Sequence, residues 1–141
     1  MQSKNQQAYV FFVDYISRFL SKNEAAFYIV NELSNFGVGL MPLIDHCTLH
    51  TPDVDKRAGN LLPIRFSHDQ ALVNLKFYDW WAKLYRKPGY PSLFVDQAFA
   101  GKRGEPSLIL DWIHIYGDQC FNHICILVEN IEHAIEKMKS R

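Results

Sequence analysis

Apolar residues recur at three- and four-residue steps through the first part of the chain, which is typical of helices. Within residues 8–36 the first stripe consists of Tyr9, Phe12, Val13, Ile16, Phe19 and Leu20. Ser21 or Asn23 is expected to cap a second helix, which continues through Leu33 and ends at Gly37 and Gly39. We predict that residues 1–38 form a helical segment packed on a sheet. A pair of amphipathic helices that binds a partner is the alternative.

From residue 39 onward the pattern changes to the alternation of strands. Leu43–Thr51 alternates until Pro52, and Asp53 can cap a short helix over residues 53–60 that Gly59 and Asn60 would close. The stretch 61–68 fits either a loop or a short strand. Three strand-like runs follow, at Val73–Tyr78, Ala82–Arg86 and Ser92–Ala98, with turns at 79–80 and 88–89. This order of elements predicts a βαβββ module.

The order of strand and helix recurs near the end of the sequence. A loop at 101–104 and a helix over Pro106–Tyr116 lead to a strand over Phe121–Val128 and a helix over Asn130–Lys139. The predicted inner face of the last helix consists of Ile131, Ala134, Ile135 and Met138. Three further strands, expected by analogy with the first module, do not follow before Arg141. The sequence therefore predicts an α+β fold: residues 39–141 form a βαβββ module plus the start (βα) of a second one.

The two strand–helix units align at an offset of 77 positions. Asp45 then falls on Asn122, His46 on His123, and Asp53 on Asn130, each unit having one histidine near the start of its strand. Because equivalent positions of a duplicated module meet near a pseudo-two-fold axis, we expect the two imidazoles to share a cavity. Neutral imidazole is a common ligand of Fe, Zn, Ni and Cu. Each histidine could instead be an ordinary hydrogen-bonded core or surface residue.

His50 is a tempting third ligand that strand geometry excludes. Four residues along a strand span roughly 13 Å, which metal–nitrogen bonds of about 2.1 Å cannot bridge. We expect His50 to be exposed to solvent, with a substrate contact as the alternative. Cys47 should point away from His46, whereas Cys125 should share a face with His123.

Composition narrows the classes of partner and the cellular compartment. The chain has 15 basic and 15 acidic residues, so a broad electrostatic attraction to nucleic acid or anionic lipid is not expected. It contains no apolar tract of roughly 20 residues, which predicts no membrane span. The polar start, MQSKNQQ, is unlike a signal peptide. The three cysteines lack paired spacing, which favours reduced thiols and a cytoplasmic location.

At these motifs the chain resembles the vicinal oxygen chelate superfamily, which includes glyoxalases, extradiol dioxygenases and 4-hydroxyphenylpyruvate dioxygenase. Asp45-His46 with residues 53–55 is similar to the first metal strand and helix of that superfamily, and 121–124 with 129–135 to the entry of its second module. Residues 80–87 and 91–97 look like uncharacterised relatives. In the 2-oxoadipate dioxygenase/decarboxylase family an arginine follows the histidine by four positions, where this chain has His50.

The resemblance implies a metal-dependent glyoxalase- or dioxygenase-like protein that acts on a small 2-oxo acid, diol or catechol. His46 and His123 would be metal ligands, with Fe(II) as the expected ion and Mn, Zn or Ni as alternatives. The third ligand, a glutamate, would lie beyond Arg141. The alternatives are a ligand-binding module without enzymatic activity and an inactive fragment stabilised as a homodimer, which could also supply a carboxylate from the second copy.

Overall fold

The computed structural model describes residues 3–37, 39–72, 74–99 and 107–140, and they form an α+β fold, as predicted. The helices are α1 (Lys4–Leu20), α2 (Glu24–Asn35), α3 (Val54–Leu61), α4 (Leu108–Tyr116) and α5 (Ile131–Lys139). The strands are β1 (Ile44–His50), β2 (Ser67–His68), β3 (Leu75–Lys76), β4 (Trp80–Arg86), β5 (Ser92–Ala98) and β6 (Phe121–Ile126). The sheet has the order β2-β4-β5-β1-β6, and β3 also pairs with β4.

The helices at the start of the chain begin at side-chain caps. Asn23, rather than Ser21, caps α2, because its Oδ1 accepts a hydrogen bond from the Ala26 N–H at 3.0 Å. Helix α1 packs on the sheet as predicted, and its Phe12 ring lies 5.9 Å from that of Phe121. Helix α2 contains no buried residue and lies against α1, and its half-buried Ala26 packs against the core. None of the described helices is long and apolar enough to cross a membrane.

Strand alternation gives the sheet one mainly apolar face and a second face, the polar face, that carries the polar side chains of β1 together with aromatic and aliphatic ones from its neighbours. The apolar face carries Cys47 and Leu49 of β1 together with Leu93 and Val95 of β5, all fully buried beneath α1 and α3. Strands β1 and β5 are parallel, with Thr48 opposite Phe94 and His50 opposite Asp96. The intervening residues of both strands therefore lie on the opposite face. That second face carries the candidate site.

The duplicated strand–helix unit is visible in the backbone. Strands β1 and β6 are antiparallel neighbours, and a helix follows each of them. Asp53 caps α3 by accepting the Lys56 N–H at 2.9 Å, and Asn130 caps α5 by accepting the His133 N–H at 2.9 Å. The alignment at 77 positions thus corresponds to the same local structure in both units.

Several predicted boundaries are wrong. Gly59 and Asn60 do not end α3, which continues to the fully buried Leu61, because burial of that side chain outweighs the low helix propensity of glycine. Of the strand predicted at 73–78, Val73 lies outside the described residues, and the rest is reduced to the two residues of β3. Trp80 begins β4 instead of forming a turn. Strand β6 ends at Ile126, two residues early. The loop at 101–104 and Pro106 lie outside the described residues.

The inner face predicted for α5 is not buried. Ile131, Ile135 and Met138 are all exposed, and α5 contains no buried residue. The helix forms as predicted, but among the described residues no sheet covers its apolar face.

Candidate functional site

The structure brings His46 and His123 together on the polar face of the sheet. Their ring centroids lie 5.6 Å apart with the ring planes at 82°. Strand β6 places His123 directly opposite Thr48, two residues after His46 on the same face of β1. The meeting of the two imidazoles, expected from the repeat, is confirmed. Their predicted role as metal ligands is a separate question.

Each imidazole is oriented by the residue that precedes it. His46 Nδ1 lies 2.7 Å from Asp45 Oδ2, and His123 Nδ1 lies 3.0 Å from Asn122 Oδ1. The aligned pairs thus make the same contact, once with a carboxylate and once with an amide. A partner that accepts at Nδ1 fixes the ring orientation and keeps a proton on that nitrogen.

A third side chain, Thr48, completes a chain of hydrogen bonds. Its Oγ1 lies 2.9 Å from His123 Nε2, so the order is Thr48, His123, Asn122. If Nδ1 donates to the Asn122 oxygen in the neutral ring, Nε2 carries no proton and accepts the threonine hydroxyl. Sequence reasoning missed Thr48, although alternation along β1 places it on the same face as His46.

The surroundings of His123 favour its neutral form. Its pKa is lowered from the usual value, first because partial burial disfavours the charged ring and second because His46 is nearby. Asp96 acts in the opposite direction and does not reverse the shift. A neutral imidazole with an unprotonated Nε2 can accept a proton, which is the requirement for a general base.

The histidines and Thr48 open onto a pocket of about 190 Å³. It is lined by His46, Thr48, Leu75, Phe77, Trp80, Ala82, Phe94, Asp96 and His123. Aromatic and aliphatic side chains form most of the wall, and the polar groups are concentrated on β1, β5 and β6. A small apolar pocket with a few converging polar groups is typical of a site for a small ligand.

His50 does not have the solvent exposure that the sequence favoured. It is buried rather than exposed, because Trp112 of α4 covers it with ring centroids 6.2 Å apart. Its Nε2 lies 3.5 Å from Asp96 Oδ2. His50 is absent from the residues that line the pocket, so the predicted substrate contact by His50 is not supported. Asp96, which sequence reasoning missed, lines the pocket in its place.

The donor set does not complete the predicted iron centre. Among the described residues, none of the carboxylates lies at metal-binding distance from both His46 and His123. In addition, His123 Nε2 already contacts Thr48. The group that does have such spacing is Asp45, His46 and Cys125, whose ligand atoms lie within 4.8 Å of one another. A thiolate with imidazole suits Zn²⁺ better than Fe(II). The metal remains a prediction.

The cysteines follow the predicted faces. Cys47 is buried in the core on the opposite face from His46, and burial strongly raises the pKa of its thiol. Cys125 shares the polar face with His123. All three cysteines are free.

Comparison with known proteins gives one informative match. No family model matches the chain, and no curated protein gives a significant match. Among solved structures, a protein from Shewanella frigidimarina described as a "putative hydrolase" matches with a TM-score of 0.76 and 15% identity. The match covers 93% of this chain and 71% of that one. At this identity the match shows a shared fold. It gives no superfamily name, so the resemblance to vicinal oxygen chelate proteins stays a prediction.

The comparison contradicts the expected function. The protein that shares the fold is described as a hydrolase, not as a metal-dependent glyoxalase or dioxygenase. That function is therefore withdrawn, and the two alternatives, a ligand-binding module and an inactive fragment, are not favoured either. The expectation depended on two histidine motifs, with the third metal ligand placed beyond Arg141.

Proposed function

We propose that the pocket hydrolyses a small acyl compound, with Thr48 as nucleophile and His123 as general base. The observation that carries this proposal is the chain of hydrogen bonds from Thr48 through His123 to Asn122, at 2.9 Å and 3.0 Å. A hydroxyl, a base within hydrogen-bond reach and a third group that orients the base form the arrangement required for nucleophilic catalysis. The description of the structural neighbour as a hydrolase supports the same reaction class.

The reaction divides into two half-reactions with balanced proton transfer. Thr48 Oγ1 bonds to the acyl carbon while His123 Nε2 takes the hydroxyl proton. The bond to the leaving group breaks, and His123 returns the proton to that group as it departs. A water molecule then gives a proton to His123 and attacks the acyl–threonine ester. As the ester bond breaks, His123 gives that proton to Thr48 Oγ1, which releases the acid and restores both residues. His46, oriented by Asp45, lines the pocket where a substrate oxygen can accept or donate a hydrogen bond.

The size of the pocket restricts the substrate to a small molecule. A volume of about 190 Å³ lies below the range of roughly 300–1,000 Å³ that is usual for sites of drug-sized ligands. The apolar wall of Phe77, Trp80 and Phe94 favours a compact substrate with an apolar or flat surface.

The test is hydrolysis of p-nitrophenyl acetate by matched variants. We expect His123→Gln and Thr48→Val each to lower kcat/KM by about 100-fold or more, which is the usual contribution of a general base. Thr48→Ser should retain most of the activity because it keeps the hydroxyl. His133→Gln, a change at an exposed position of α5, is the control and should leave the rate unchanged.

Two results would contradict the proposal in different ways. Equal rates for wild type, His123→Gln and Thr48→Val would exclude the pocket as a hydrolytic site. Loss of activity in His123→Gln with full activity in Thr48→Val would show that His123 activates water directly and that Thr48 is not the nucleophile.

We also propose a reducing, cytoplasmic location. The three free thiols, two of them buried, are consistent with a compartment in which cysteines stay reduced. Mass spectrometry of alkylated protein from cells should find all three thiols unpaired, and a disulfide involving any of them would contradict this location.

A further inference from the structure

The floor of the pocket contains a buried carboxylate that the proposed hydrolysis does not use. Asp96 is 4% exposed and lines the pocket. Its Oδ2 lies 3.5 Å from His50 Nε2, whereas its Oδ1 has no hydrogen-bond partner among the described residues. A buried carboxylate oxygen without a hydrogen-bond partner is costly, so Oδ1 indicates a missing positively charged or hydrogen-bonding group.

The walls around this carboxylate are aromatic. Phe77 and Trp80 stack on each other with ring centroids 3.8 Å apart, and Phe94 lines the pocket from β5. The face of an aromatic ring carries negative electrostatic potential and attracts cations, and the effect is strongest for tryptophan and for desolvated cations. Aromatic walls next to a carboxylate therefore form an environment suited to an organic ammonium group.

The charges of the lining residues agree with this assignment. The described residues that line the pocket include one acidic residue, Asp96, and no lysine or arginine. A metal ion is a poorer occupant of this part of the pocket, because Asp96 does not group with other potential ligands at metal-binding spacing in the described ranges. The phenylalanine and tryptophan side chains here also have no donor atom for a metal ion.

We propose that Asp96, Trp80 and Phe77 bind an ammonium group of the substrate. That the occupant is a substrate rests on the proposed function. The chemical class of this substrate is a small acyl compound with a primary to quaternary ammonium group. The carboxylate provides the charge that selects the cation. The aromatic walls provide the contact surface, and the acyl group is left to face Thr48 and His123.

The experiment compares choline with its uncharged carbon isostere, 3,3-dimethyl-1-butanol, by titration of the tryptophan fluorescence and by isothermal calorimetry. The two probes have the same shape and differ in charge. We expect saturable binding of choline that is at least tenfold tighter than binding of the isostere. Equal affinities, or no binding of choline, would overturn the proposal.

Variants separate a specific site from a general effect of charge. Asp96→Asn should weaken choline binding at least tenfold, whereas Asp79→Asn, just before Trp80 and outside the lining residues, should not. Unchanged choline binding in Asp96→Asn would overturn the assignment. If Asp96→Asn does not fold, Trp80→Leu, a change at a half-buried position, tests the same site. Its choline affinity, measured by calorimetry, should also fall, and an unchanged affinity would overturn the role of the aromatic wall.

The same titration on His123→Gln keeps this inference distinct from the proposed hydrolysis. That variant removes the proposed base and leaves Asp96 and the aromatic wall in place. Choline should bind to it as to wild type. Loss of hydrolysis with retained choline binding is the result expected if both proposals hold. Retained hydrolysis with no choline binding in any variant would contradict the ammonium site alone.

Discussion

The two strand–helix units of this chain have the same local structure and different surroundings. In the first unit, Val54 and Leu61 of α3 are fully buried against the sheet. At the aligned positions of the second unit, Ile131 is 62% exposed and Met138 is 57% exposed. The caps nevertheless agree, the helices have eight and nine residues, and the two strands begin at aligned positions. Capping and periodicity are therefore sufficient to specify the helix. Burial of its apolar face depends on further strands, which follow the first unit but are not found after the second among the described residues.

The two units also differ in the residue that precedes each histidine. Asp45 holds His46 through a carboxylate, and Asn122 holds His123 through an amide. Both contacts orient the ring at Nδ1, but a carboxylate stabilises the protonated ring and an amide does not. The duplication thus provides two oriented imidazoles, and the change from acid to amide is consistent with the use of His123 as a neutral base.

The largest expected effect contrasts the buried and exposed helix faces. Leu61→Ala should lower the free energy of unfolding by about 2–5 kcal/mol, because it leaves a cavity in the core. Met138→Ala, at the aligned position, should change it by less than about 0.5 kcal/mol. Urea unfolding followed by circular dichroism measures both.

A large cost for Met138→Ala would contradict this contrast and would mean that the face of α5 is covered in solution. A homodimer, which remains a prediction, could provide that cover. In that case the unfolding midpoint would rise with protein concentration, because mass action stabilises an associated folded state.

A smaller effect, on the pH dependence of hydrolysis, is expected when the residues that contact the two histidines at Nδ1 are made identical. Asn122→Asp places a carboxylate next to the Nδ1 proton of His123, which favours the charged ring and should raise the pKa of His123 by about one unit or more. Since the base must be neutral, the acid limb of the kcat/KM profile should move to higher pH. Asp45→Asn, the matched change at His46, should move it less. An unchanged limb in Asn122→Asp would show that His123 does not control the rate.

The smallest effect concerns the helix caps. Asp53→Ala should destabilise the protein by about 1 kcal/mol, because the Lys56 N–H at the start of α3 loses its acceptor. Asn130→Ala removes the same contact from α5, but this exposed helix can unfold locally without loss of the core. Its effect on global unfolding should be smaller. Equal costs, measured by urea unfolding, would contradict the view that α5 is energetically separate from the rest of the fold.

Local signals made much of this fold predictable. Asp53 and Asn130 marked the starts of two helices, and Asn23 was one of two caps expected for a third. Alternation along β1 and β5 placed both strands within a residue or two. The repeat predicted the meeting of His46 and His123, because equivalent strands of a duplicated unit became antiparallel neighbours. These features depend on short stretches of sequence or on a comparison within the chain.

Long-range features were not predictable from the sequence. Asp96 reaches the site because β5 pairs in parallel with β1, and that pairing leaves no mark in the sequence of either strand. His50 was expected to be exposed, but α4, about 60 residues later, covers it. The exposure of Ile131 and Met138 likewise depends on what packs against α5, whereas their spacing depends on the helix alone.

The most direct test of the central claim is the position of the proton on His123. Long-range ¹H–¹⁵N NMR correlation of the imidazole rings, assigned with a His123→Gln variant, distinguishes the two neutral forms and the charged form. At pH 7.5 the account predicts a neutral His123 with its proton on Nδ1, next to Asn122, and an unprotonated Nε2 that accepts the hydroxyl of Thr48. A proton on Nε2, or a charged ring at that pH, would contradict the assignment of His123 as the base.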